Sequence, residues 1–282
     1  MNVVQPVLTV SSRARRWSEA VALLAIWLAA GFVLRLGDAG YLLLGIPLSV
    51  AFQLLVRREP LRAAWVRSAP SLILDRYLVV AATLFAIAPS VSLYFNVRSH
   101  AWMAASWSLV GVGGALGAAY AVRHARRETL RALLLCIATA GTFGILIMGA
   151  TLLGGVVTGE LALPTLRSGL WAGARALLLF VPITFALEEV TFRGILDPHV
   201  RPTDERGEAR GGWLSAIALS AMWGLWHLPM MKHSGLRTAI GLVVIHTLIG
   251  VPLSLWWRRS GNLLVPAFTH ALIDAVRDAL LG

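Results

Sequence analysis

Apolar side chains fall in long blocks separated by short, arginine-rich breaks. Blocks at 19–36, 41–56, 77–97, 102–122, 132–157, 169–187, 213–231 and 236–257 each approach the ~20 residues a helix needs to cross a bilayer. The sixth can run on to about 199. A ninth block, 262–281, is apolar but broken by His270, Asp274, Arg277 and Asp278. The pattern predicts an all-α fold, a polytopic membrane helical bundle of about eight transmembrane helices plus a C-terminal membrane-embedded helix. Residues 1–168 read as membrane helices of unassigned role, and 169–282 as the part that carries chemistry, within one integral membrane unit.

Composition supports this and removes other classes. Of the 282 residues 57% are hydrophobic and only 14% charged, whereas soluble chains run at about a quarter charged. Disorder is excluded by the same hydrophobicity, and a secreted disulfide scaffold by the single cysteine, Cys136. The net charge of +11 would suggest nucleic acid, but its placement explains it better. With loops numbered alternately from a cytoplasmic N-terminus, the inside set holds 18 basic residues and the outside set 6. The outside six are Arg35, Arg98, Arg167, Lys232, Arg237 and Arg277. That bias is the positive-inside rule, so the charge is topology, and the expected partner is the lipid bilayer with its anionic headgroups. No cleavage site follows the first block, which ends Arg35-Leu36-Gly37-Asp38, so it is expected to be retained. The longest hydrophilic stretch, Asp197 to Gly212, reads as a cytoplasmic loop. Glycines 111, 113, 114 and 117 fit close helix packing.

The last hundred residues hold ionisable side chains at membrane depth, where they are costly and usually face a protein interior or a wet cavity. They come as Glu188-Glu189-Val190-Thr191-Phe192-Arg193, then Trp223-Gly224-Leu225-Trp226-His227. Third comes His270-Ala271-Leu272-Ile273-Asp274, which follows Gly261-Asn262-Leu263-Leu264-Val265-Pro266. Glu189 and Arg193 are four apart and can pair on one helix face. Glu188, turned by about 100°, lacks that partner, which suits a general base. Trp223 stands one turn from His227 and can wall a pocket. Asp274 can orient His270, or both can meet one ion. Counting at ~1.5 Å per residue puts Glu188, His227, His270 and Asp274 at about 12–21 Å from the cytoplasmic side. Four polar groups at one depth on three helices predict a site.

Glu-Glu-x-x-x-Arg, aromatic-x-x-x-His and His-x-x-x-Asx after a Gly-Asn-Leu run, in this order, resemble the CAAX-protease and bacteriocin-processing family of intramembrane endopeptidases. The resemblance covers about 169–281. By position it implies Glu188 as the catalytic glutamate, with His227, His270 and Asp274 catalytic and Glu189, Arg193 and Trp223 supporting. Trp223 stands where the family often has Phe, and Asp274 where it often has Asn. Three chemistries stay open for Asp274: a protonated donor, an acceptor that holds His270, or a metal ligand. The last would make Glu188, His227, His270 and Asp274 a two-His, two-carboxylate set compatible with zinc. The alternative is metal-free, with Glu188 and His227 activating water and His270 and Asp274 stabilising the intermediate.

The implied substrate is a membrane-associated protein or peptide, and no nucleic acid. A competing class is a membrane transporter or immunity protein that uses the same buried groups without hydrolysis. The arginine-rich, lysine-poor usage associates with a bacterial source, hence an inner-membrane location. His246 belongs to no motif and reads as a structural hydrogen bond. Arg175 reads as a counter-ion or interface residue, and Cys136 as packing. His100, His124, His199 and His233 read as solvated. Trp17, Trp102, Trp171, Trp213, Trp256 and Trp257 read as an aromatic belt.

Overall fold

The structure, a computed structural model, describes all residues except 1–9, 35, 69, 160, 202–211, 232–234 and 282. Arg35, Arg206, Arg210, Lys232 and His233 therefore lie outside the described residues, as does most of the expected loop. The architecture is all-helical: α1 Val10–Val33, α2 Gly37–Ala51, α3 Arg62–Trp65, α4 Arg76–Arg98, α5 Trp102–Arg123, α6 Arg127–Cys136, α7 Thr142–Val157, α8 Leu166–Thr184, α9 Asp197–Val200, α10 Gly212–Trp226, α11 Leu236–Ser260 and α12 Leu264–Leu281. Wider π-helical turns follow α2 (Phe52–Val56), join α6 to α7 (Ile137–Gly141) and precede α9 (Val190–Leu196). Seven helices among the described residues are long and apolar enough to cross a membrane. They match seven of the eight expected spans. The remaining one, the block at 213–231, is α10, which has 15 residues and reaches about 22 Å, short of a bilayer's core.

The helix ends are set by local chemistry. Asp75 caps α4 by accepting from Leu78 N at 3.0 Å, and Thr165 caps α8 through Ser168 N. Gly261 closes α11 with φ +64°, a backbone that glycine adopts without strain. Asn262 then starts α12: its Oδ1 accepts from Leu264 N at 2.9 Å, while its Nδ2 donates to the Ala121 carbonyl at 2.9 Å. Leu263 N donates to Trp65 O at 2.9 Å. The Gly-Asn-Leu run is thus a clamp that fixes where α12 begins against α3 and α5, and so where His270 arrives.

The expected continuation of the sixth span to 199 does not occur. α8 contains Pro182, which has no N–H to give its turn, and ends at Thr184. Gly114 of α5 lies against this point: a Cβ there would stand 1.8 Å from the Pro182 carbonyl oxygen. The chain turns at 185–187, and Glu188 and Glu189 open a new helical segment.

Beyond it, Asp197 is buried and gripped by the guanidinium of Arg258, whose Nε lies 3.0 Å from both carboxylate oxygens. His199 is buried beside Glu19, with Nε2 2.9 Å from Oε2 and its ring edge on Phe52. The hydrophilic stretch read as a loop thus begins as core, because both polar side chains find charged partners on α1 and α11. Trp257 is likewise buried and not part of a belt, while Trp102, Trp171 and Trp213 are exposed. His100 is exposed and His124 half-buried against Tyr120. Cys136 is fully buried. The first two helices brace the site from behind, where Tyr41 donates its hydroxyl to Trp226 O at 2.7 Å and Trp27 donates to Tyr41 O at 3.0 Å.

Candidate active site

Five of the seven sequence-derived residues, Glu188, Trp223, His227, His270 and Asp274, line one cavity of about 1110 Å³ between α4, α5, α8, α10, α11 and α12. Its walls are mostly apolar, with Ile87, Val91, Phe95 and Trp107 supplied by α4 and α5. Glu189 and Arg193 stand behind this surface, 0% and 1% exposed.

Glu188 is only 7% exposed and is not without a partner. Trp223 donates its indole N–H to Glu188 Oε2 at 2.8 Å, so it holds the carboxylate as well as walling the cavity as expected. His227 Nε2 stands 3.7 Å from the same oxygen. His227 owes its orientation to the end of α10. The last four carbonyls of a helix lack i+4 partners, and Trp223 O, 3.0 Å from His227 Nδ1, takes that ring's N–H. A carbonyl can only accept, so Nδ1 carries the proton and Nε2 is turned to Glu188.

A second layer holds His270. Glu189 Oε1 lies 3.0 Å from Arg193 Nη1 and 2.9 Å from His270 Nδ1. Arg193 also stacks 4.3 Å over the Trp223 ring and donates to Gly250 O. The expected Glu189–Arg193 pair is present, and a histidine from α12 shares it. His270 Nε2 is 3.4 Å from Asp274 Oδ2, and Asp274 Oδ1 accepts from Arg277 at 2.8 Å. Asp274 therefore lies between His270 and the Arg277 guanidinium, from which it accepts.

His246 makes the structural hydrogen bond expected of it. Its Nδ1 donates to Leu242 O at 2.8 Å, but its ring lies in the cavity wall, 4.2 Å from His227 and 4.5 Å edge-on to Trp223. Depth could have found it: His246 lies 14 residues before Ser260, about 21 Å from that end, level with the other four. Arg175, exposed on α8, and Arg277 line the same cavity.

Zinc needs three or four lone pairs converging at about 2.0–2.2 Å. Among the described residues no three His, Cys, Asp or Glu side chains are arranged to hold a metal ion. His270 faces a carboxylate at each nitrogen and Asp274 is taken by Arg277. As arranged, these residues do not fit a zinc site.

Residues 168–276 match the family model described as Rce1-like, type II CAAX prenyl endopeptidase Rce1-like. No curated protein and no solved structure matches the chain. The matched segment spans all three motif groups and every polar side chain just described except Arg277, and the helices around it are those of an integral membrane protein. Over that segment the chain is similar to the type II CAAX prenyl endopeptidase family, and this similarity supports an intramembrane endopeptidase of that general type.

Proposed function

We propose that Glu188 and His227 activate water for hydrolysis of a peptide bond in a membrane-associated protein or peptide, without a metal. The observation that carries this reading is Glu188 on the wall of an apolar cavity, fixed at Oε2 by the Trp223 indole and facing His227 Nε2. Its other oxygen makes no hydrogen bond among the described residues and is the proton acceptor. Water held between Oε1 and His227 Nε2 gives a proton to Glu188 as its oxygen bonds to the scissile carbonyl carbon. The carbon–nitrogen bond then breaks, Glu188 returns the proton to the leaving nitrogen, and the products depart as a carboxylate and an ammonium once the new acid has passed its proton to the amine. His270, steadied at Nδ1 by Glu189, turns its Nε2–H from Asp274, 3.4 Å away, to the developing oxyanion. Asp274 orients that ring and neutralises Arg277.

The apolar walls suit a hydrophobic segment presented from within the bilayer. The arginine distribution supports a cytoplasmic N-terminus, and the arginine-for-lysine usage a bacterial inner membrane. Glu188→Gln keeps the shape and can still accept the Trp223 N–H, but it removes the base. Cleavage is expected to fall by about 10²–10⁴-fold with expression and thermal stability unchanged. A comparison of membrane-protein C-terminal peptides from cells carrying either form identifies the substrate. Identical peptide sets would overturn the reading.

A further inference from the structure

α10 and α11 meet backbone to backbone where Gly224 faces Leu242. A Cβ on Gly224 would fall 2.6 Å from the Leu242 carbonyl oxygen and 3.0 Å from the Val243 Cα, so only glycine permits this backbone contact. One turn away on each helix stands a histidine. Both donate Nδ1–H to the carbonyl four residues earlier, His227 to Trp223 O at 3.0 Å and His246 to Leu242 O at 2.8 Å. The two ring centroids then lie 4.2 Å apart, with the planes tilted by 35°. His246 also presents itself edge-on to Trp223, at 4.5 Å and 88°. It thus touches both side chains that hold Glu188.

A mid-span imidazole costs more to bury than a leucine of similar bulk, so packing alone does not account for it. What it offers is a flat ring whose rotation is fixed by its own hydrogen bond. His227 needs such a surface. It lies just past the end of α10, held there by one hydrogen bond to Trp223 O, and a ring face adds a second constraint that keeps its Nε2 on Glu188.

We propose that His246 is a positioning residue of the peptidase: its anchored ring is the face against which His227 is held with Nε2 toward Glu188. The inference rests on the roles given to Glu188 and His227 above. Gly224 is part of the same device, because the contact it permits brings the two histidine rings together.

The test uses the full chain in lipid nanodiscs, with a fluorescein-labelled peptide that carries an apolar membrane segment as probe. His246→Ala is expected to lower kcat by about 10- to 100-fold, the scale of a small misplacement of a reacting group, with KM within about twofold. His246→Phe, which restores a flat ring, should recover most of that loss. Gly224→Ala should reproduce it with His246 still present. If Phe is as poor as Ala while His246→Gln is active, the ring handles protons and the positioning role is overturned.

Ring ¹⁵N spectra of histidine-labelled protein give a readout that needs no turnover. His227 should show one Nδ1–H tautomer in the wild type and tautomer averaging in His246→Ala. An unchanged His227 signal in that variant would also overturn the proposal. Cleavage by Glu188→Gln at the wild-type rate would sink the peptidase reading instead, and the spectra would still judge the ring contact.

Discussion

An aspartate at position 274 stands where the resembling family often has asparagine, and its neighbours show how the acid is accommodated. Arg277, one turn on, takes Oδ1, and His270, one turn back, faces Oδ2. An asparagine carbonyl could accept from either. Asp274→Asn is therefore expected to keep activity within about tenfold, at a stability loss of about 1 kcal/mol for a partly exposed pair. The same enzyme should be indifferent to chelators. Stoichiometric zinc in purified protein, together with inactivation of the Asn variant, would instead make Asp274 a ligand. At this scale the sequence shows contacts within one helix and hides those between helices. Glu189–Arg193 is legible from a spacing of four. Trp223 to Glu188 spans 35 residues and Glu189 to His270 spans 81, and no periodicity encodes which indole or imidazole arrives.

The break after α8 is the element on which the site depends. The π-helical turn Val190–Leu196 is tied down by Arg193, which reaches Glu189, the Trp223 face and Gly250 O. Ser49 and Thr191 add a hydrogen bond at 2.7 Å. Removing the guanidinium strands a buried carboxylate, so Arg193→Ala should cost about 3–5 kcal/mol. Thermal unfolding in detergent measures it. Normal stability with lost cleavage would give Arg193 a direct role with substrate. Seven spans were legible because apolar length is what a bilayer demands. The break was not, because 176–187 carries no charge and its single proline is tolerated within other helices here, as at Pro47, Pro89 and Pro252. What stops α8 is its approach to Gly114, a tertiary event. Asp197 and His199 likewise looked like loop residues because their partners, Arg258 and Glu19, are distant in sequence.

For the whole molecule, the arginine asymmetry makes orientation testable. Cys136 is sealed in the core, so new thiols report alone. A cysteine in place of Arg126, between α5 and α6, should react with an impermeant maleimide only after cells are opened. One in place of Ser99, between α4 and α5, should react in intact cells. The reverse pattern would invert the topology.

The matched segment begins at residue 168, yet Ile87, Val91, Phe95 and Trp107 are walls of the cavity it serves. The two stretches of chain therefore answer different questions. The C-terminal one holds the groups proposed to cut, and the N-terminal one supplies part of the apolar wall around them. Enlarging or trimming Val91 or Trp107 reshapes the chamber without displacing any polar side chain of the site. Selectivity can thus drift through the first half of the gene while the chemistry in the second half stands still.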